Sequence, residues 1–137
     1  MPTAQTLERF IARVESNAHV EAIEEFYTEG ATMRENMAAP RVGRATLMAQ
    51  ERATLSRVRS VQSRCVRPVL VDGDTVVVRW VFRFEAPDGR VRELEELAWQ
   101  RWEGERIAEE QFFYDPAQLE PRPAPATPAA PAAPATP

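Results

Sequence analysis

The sequence predicts an α+β fold: three N-terminal helices, then strands, with the helices packed on one face of a strongly curved, cone- or barrel-like antiparallel sheet. Three observations predict it. In the first half, apolar residues recur at helical spacing, as in Leu7, Phe10, Ile11 and Val14. In the second half they alternate, most cleanly in "TVVVRWVFRFE", where Val76, Val78, Trp80, Phe82 and Phe84 share one face and Arg79 and Arg83 the other. Two strong turn sequences, Asp72-Gly73 and "APDG", then cut this half into hairpins.

The first helix is "TLERFIARVES", with Thr3 or Thr6 as its cap. Val20, Ile23 and Phe26 mark a second, shorter helix ending near Tyr27. "EGATMREN" reads as a short strand and "MAAPRVG" as a loop. "RATLMAQERATLSRV" is a third helix, with a stripe of Leu47, Met48, Leu55 and Val58. Four strands follow: "VQSRCVRPVLV", "TVVVRWVFRFE" and two more divided by "EGE".

With 137 residues the chain holds one domain with a real core. The composition breaks after Asp115, where "PAQLEPRPAPATPAAPAAPATP" carries one large apolar residue and almost no charge. A folded domain over residues 1–116 and a disordered Pro/Ala-rich tail over 117–137 are expected. That tail is a spacer or a ligand for a proline-binding module.

The formal net charge is −4, with Arg and Glu interspersed and no basic patch, which argues against nucleic acid as a partner. No apolar run approaches the roughly 20 residues of a membrane span, and no signal peptide is visible. The single Cys65 fits a reducing cytoplasm. One Cys and one His cannot build a zinc site of those ligands, so no metal is expected. There is no Gly-rich phosphate loop and no hydrolase nucleophile elbow, and no cofactor is expected. His19 reads as a surface or capping residue and Cys65 as a small core residue.

The informative stretch is "LEELAWQRWEGERIAEEQFFYD", with its two glutamate pairs, Glu95/Glu96 and Glu109/Glu110. In a strand, adjacent side chains point to opposite faces, so one Glu of each pair points inward. Turn chemistry decides which. Asp72-Gly73 as a two-residue loop pairs Val71 with Asp74, and further on Cys65 with Trp80. "APDG" as a three-residue loop pairs Ala86 with Arg90, then Phe82 with Leu94 and Trp80 with Glu96. A three-residue loop at Trp102-Glu103-Gly104 pairs Arg101 with Glu105 and sets Glu96 opposite Glu110. Glu96 and Glu110 then point in, close together, with Leu94, Ala98, Gln100, Trp102, Ala108, Phe112 and Tyr114.

A buried carboxylate is costly unless paired, hydrogen-bonded or protonated. Two together raise one pKa, which suits a general acid or base near neutral pH. Trp80, Phe82, Phe112, Tyr114, Tyr27 and Met33 supply apolar walls for a small-molecule pocket, with Gln100 as a polar group. Glu51 lies within the stripe of the third helix and either faces the sheet or reaches water. The competing reading is structural: Glu96 and Glu110 hydrogen-bond to Tyr, Gln100 or Arg and fasten the fold.

"FYTEGATMREN", "VGRATLMAQE", "VDGDTVVVRWVFRF" and "WEGERIAEEQFFYD" resemble the SnoaL-like domains of the nuclear transport factor 2-like superfamily over nearly all of Thr6 to Asp115. The resemblance implies three helices on a bent sheet, an interior pocket, and often a homodimer through the sheet's outer face. Relatives include polyketide cyclases, ketosteroid isomerase, limonene epoxide hydrolase and non-catalytic binding modules. If this chain is an enzyme, the resemblance implies proton-transfer chemistry without a cofactor, with Glu96 and Glu110 as base and acid and Tyr114 or Tyr27 as hydrogen-bond donor. The cyclases' aspartate on the last strand has no counterpart here. The epoxide hydrolases' Asp-Arg-Asp set has no evident match either.

Overall fold

The computed structural model describes residues 1–120. Helix α1 spans Ala4–Glu15, and Thr3 caps it by accepting a 3.0 Å bond from the Thr6 N–H. Its Leu7, Phe10, Ile11 and Val14 stripe is buried, as the spacing requires. Helix α2 (His19–Phe26) buries His19, Ala22, Ile23 and Phe26. Helix α3 (Arg44–Ser56) fully buries only Leu47. Met48 and Val58 reach the core in part. This thin apolar contact leaves room between α3 and the sheet.

The strands are β1 (Tyr27–Glu35), β2 (Arg41–Val42), β3 (Ser60–Asp72), β4 (Thr75–Glu85), β5 (Val91–Glu103) and β6 (Arg106–Phe113). They form one open sheet in the order β2-β1-β6-β5-β4-β3. The meander β3 to β6 is antiparallel, as expected. The sheet as a whole is mixed, because β1 runs parallel to β6. The expected loop "MAAPRVG" ends in β2, which pairs antiparallel with β1 through Thr32–Val42 and Met33–Arg41. A short 3-10 helix, Pro116–Leu119, closes the described chain. The rest of the expected tail lies outside the described residues.

Cys65 pairs with Trp80 and Ser63 with Phe82, as the sequence predicts, although the turn between the strands is not the expected one. The loop residues are Gly73 and Asp74, and the closing pair is Asp72–Thr75. Gly73 takes φ 60°, a conformation glycine adopts without steric cost. Around Pro68, which has no N–H for the ladder, residues 67–69 of β3 face the single residue Val78 of β4. Those two extra residues offset the displaced turn. The "APDG" loop is as expected: the Ala86 N–H bonds the Arg90 carbonyl at 2.8 Å, and Leu94 faces Phe82.

The last hairpin differs. Its turn is Gly104-Glu105, closed by Glu103–Arg106, with Gly104 at φ 61°. Trp102 therefore stays in the strand and is 1% exposed. Its indole meets Phe10 edge-on at 5.9 Å, and Phe10 also contacts Phe26, Tyr27 and Trp80. A one-residue bulge at Ala108 shifts the pairing again, so that Gln100 faces Glu110 and Ala98 faces Phe112.

Candidate functional site

A cavity of about 370 Å³ lies between α3 and the sheet, within the size range of small-molecule sites. Its floor comes from alternate residues of two paired strands: Phe82 and Phe84 on β4, Leu94 and Glu96 on β5. Phe112 and Tyr114 line the side nearest β1, with Met33. Leu47 and Glu51 of α3 and His19 of α2 form the roof. Leu119 of the terminal 3-10 helix also lines it.

The prediction of which glutamates point inward agrees with the structure. Glu96 and Glu110 are buried, whereas Glu95 pairs with Arg79 and Glu109 with Arg101 on the other face. The expected pairing of Glu96 with Glu110 is corrected. The actual register is displaced by four residues, because the turn is shorter and Ala108 bulges. Four is even, so the facing is unchanged. Glu96 instead lies four residues along β5 from the position opposite Glu110, about 13 Å at ordinary strand rise.

The two carboxyls consequently have different surroundings. Glu110 accepts hydrogen bonds from the Tyr27 hydroxyl and from Gln100 Nε2, the latter at 2.7 Å. Gln100 Oε1 in turn accepts from Trp102 Nε1 at 3.0 Å. This buried chain of Tyr27, Glu110, Gln100 and Trp102 satisfies each member. Burial pushes the Glu110 carboxyl up to about 7, against the lowering effect of its two donors. Burial, followed by the charge of Glu110, holds the Tyr27 phenol well above its ordinary range. Of the expected pocket residues, Tyr27, Trp80, Gln100 and Glu110 do not line the cavity: they are core.

Glu96 lines the cavity and makes no side-chain hydrogen bond among the described residues. Burial, reinforced by the negative charges of Glu110, Glu35 and Glu51, pushes its carboxyl up to about 8. At neutral pH it is mostly protonated, a neutral donor facing the cavity. Tyr114, half-buried, also lines the cavity, and its hydroxyl is unbonded among the described residues. Its backbone N–H is fixed by Asn36 Oδ1 at 3.1 Å.

His19 is 8% exposed and stands in the core face of α2, which corrects its expected surface position. Its ring meets Phe82 edge-on at 5.4 Å. Nδ1 lies 3.1 Å from Glu51 Oε2, and Nε2 lies 2.7 Å from Ser63 Oγ. Ser63 Oγ is 2.8 Å from Asn17 Oδ1. The order hydroxyl, imidazole, carboxylate is that of a serine nucleophile with its base. Ser63, however, does not line the cavity, and its role here is to fix His19. Glu51 faces the sheet, one of its two expected alternatives, and is half-buried at the roof.

Sequence reasoning missed Glu35 and Arg41, which pair through both guanidinium NH2 groups at the cavity wall. Arg41 Nε is buried and has no hydrogen-bond partner among the described residues. No spacing in the sequence signals this pair, since Arg41 lies on a two-residue strand flanked by Pro40 and Gly43, a loop pattern. Burial raises the Cys65 thiol pKa, as fits a core cysteine. Among the described residues no three His, Cys, Asp or Glu side chains gather as metal ligands. No helix there is long and apolar enough to cross a membrane.

The family model of the SnoaL-like domain matches residues 7–110. A search of curated proteins finds no match. Solved structures share the fold at low identity. A nuclear transport factor 2-like protein from Burkholderia pseudomallei matches with TM-score 0.71 and 15% identity, over 84% of this chain and 92% of that one. A Catenulispora acidiphila protein with a ketosteroid isomerase-like fold, in complex with trimethylamine, matches with TM-score 0.71 and 17% identity, over 85% and 90%. An LEH-like epoxide hydrolase of M. tuberculosis matches with TM-score 0.68 and 12% identity, over 84% of each chain.

Proposed function

The chain belongs to the SnoaL-like domain family, and on that premise we propose that it binds a small apolar or aromatic ligand in the cavity and moves a proton on it. One observation carries the reading. Glu96 is a buried carboxyl without a partner among the described residues, set among Phe82, Leu94 and Phe112 in a cavity of about 370 Å³. A group left unbonded in such a place is costly unless a ligand bonds it.

The chemistry follows from the protonation state. A neutral Glu96 donates a hydrogen bond to a ligand carbonyl and stabilises the enolate that forms when a neighbouring C–H is lost. The Tyr114 hydroxyl is a second donor. Glu51, oriented by His19, is the carboxylate that accepts the proton from carbon. Isomerisation, cyclisation and dehydration all use such a step. Glu110 acts at one remove: it fastens β6 to β1 and β5, and its charge adds to the burial that raises the Glu96 carboxyl.

A non-catalytic binding module is the second reading, favoured by the fully satisfied Glu110 cluster, which needs no ligand. Association into a homodimer is part of either reading. Leu97 and Phe113, paired across β5 and β6, are 45% and 38% exposed on the outer face.

Hydrogen–deuterium exchange at C1 of 2-tetralone, followed by proton NMR, tests the assignment. The wild-type chain is expected to accelerate exchange, and Glu96→Gln and Glu51→Gln to abolish the acceleration. Binding of 2-naphthol without any exchange would leave the binding module standing. Neither binding nor exchange would remove both readings.

A further inference from the structure

The inward face of β5 runs from half-buried Arg92 through buried Leu94 to buried Glu96. Arg92 and Glu96 are thus two steps apart, about 13 Å between Cα atoms. All three residues line the same cavity. The cavity therefore has a direction: a carboxyl at its inner end, apolar walls, and a guanidinium toward the rim.

That guanidinium is held in place and lacks an anion. Arg92 faces Phe84 across the β4–β5 ladder and lies over its ring, 5.0 Å from the centroid. This cation–π contact holds the guanidinium against the ring, and its N–H groups make no hydrogen bond among the described residues. Arg57, at the end of α3, lines the same cavity. Both also line a smaller hollow with Thr54 and Phe84, which continues the cavity outward. Neither makes a salt bridge among the described residues. Their neighbours do: Arg41 is paired with Glu35, Arg90 with Asp88 at 2.8 Å, and Arg59 with Glu85 at 3.2 Å. In this region the carboxylates are taken, and these two cations are left facing the mouth.

We propose that the ligand is an amphipathic organic acid, its carboxylate held by Arg92 and Arg57 at the rim and its apolar body reaching inward so that a carbonyl or hydroxyl meets Glu96. This rests on the reading of the cavity as a ligand site, and it names the chemical class that site takes. A flat two-ring acid of about 10 Å spans the distance between the guanidinium and the carboxyl. A planar carboxylate accepts the two parallel N–H bonds of an arginine fork, which a neutral ester cannot do as well.

The test compares 6-hydroxy-2-naphthoate with its methyl ester, titrated calorimetrically into the full chain. The acid is expected to bind about tenfold or more tightly than the ester, the scale of one charged hydrogen-bonded contact. Arg92→Met is expected to remove most of that difference, with ester affinity unchanged, and Arg57→Met to remove a smaller part because Arg57 is exposed. Glu96→Ala is expected to weaken acid and ester alike. Equal affinity of the wild type for acid and ester would overturn the proposal and leave the cavity reading intact. So would an Arg92→Met variant that weakens both equally. If neither compound binds, the cavity reading fails, and the proposal with it.

Discussion

Gln100 donates a 2.7 Å hydrogen bond to Glu110 directly across the β5–β6 ladder, in a position where Gln100 is 0% and Glu110 2% exposed. The Tyr27 hydroxyl donates to the other carboxylate oxygen. Glu110 is therefore the hub of a three-strand junction between β1, β6 and β5. Removing it strands two buried donors. Glu110→Ala is expected to lower stability by about 3 kcal/mol, with Glu110→Gln near half of that, since one acceptor survives. Denaturant unfolding measures both. A loss below about 0.5 kcal/mol for Glu110→Ala would contradict the hub role.

Glu96 predicts the opposite. Its folded-state carboxyl titrates at about 8, above the unfolded value near 4.3. A raised pKa contributes stability that is fully present below the unfolded value and is lost as pH rises through the folded one. Glu110, raised to about 7, acts in the same direction over a narrower window. The chain should thus be more stable at pH 5 than at pH 8.5. Glu96→Gln should flatten that slope and stabilise the protein at pH 8.5 by on the order of 2 kcal/mol. Thermal melts of both proteins across this range decide it. A parallel pair of curves would show that Glu96 keeps its charge when folded.

His19 links three elements: α2 carries it, α3 supplies Glu51, and β3 supplies Ser63. His19→Ala should cost about 2 kcal/mol through lost packing on Phe82 and two lost hydrogen bonds. Ser63→Ala should cost less, about 1 kcal/mol, and leave proton exchange on carbon nearly unchanged, because Ser63 only positions the ring. A Ser63→Ala variant as inert as Glu51→Gln would instead make the hydroxyl part of the reaction.

Much of this architecture was legible because alternation has a period of two. Trp80, Phe82, Glu96 and Glu110 face inward whatever even error the turns carry. Pairing is another matter. The Glu96–Glu110 contact failed because the bulge at Ala108 and the short turn at Gly104 each move the register, and neither leaves a pattern of its own. The β3–β4 pairing succeeded through two such departures that offset one another. The site was less legible still. Arg41 lies on a two-residue strand, and His19 carries no periodic signal beyond its place one helical turn before Ile23. Their partners, Glu35 and Glu51, are set by tertiary packing alone. The mixed character of the sheet was not legible either, because the parallel β1–β6 pair joins segments far apart in the chain.

The terminal 3-10 helix supplies the last prediction. The Glu95 N–H donates to Gln118 Oε1 and the Glu95 carbonyl accepts from Gln118 Nε2, both at 3.0 Å. The side chain of Gln118 thereby mimics one rung of a strand beside β5, and it anchors Leu119 against the cavity. Proline at the first helical position and Asp115, which accepts from the Ala117 N–H at 3.0 Å, start the turn locally. Leu119 is half-buried, so Leu119→Ala should cost stability only modestly, about 1 kcal/mol. Its larger effect should fall on binding, because one wall of the cavity is then open to water. Gln118→Ala should act through Leu119 and weaken 6-hydroxy-2-naphthoate by a similar factor. The double variant should be no worse than the weaker single, since both changes release the same wall. Additive losses in the calorimetric titration would mean that Gln118 and Leu119 act separately, and that the helix is not the latch its hydrogen bonds describe.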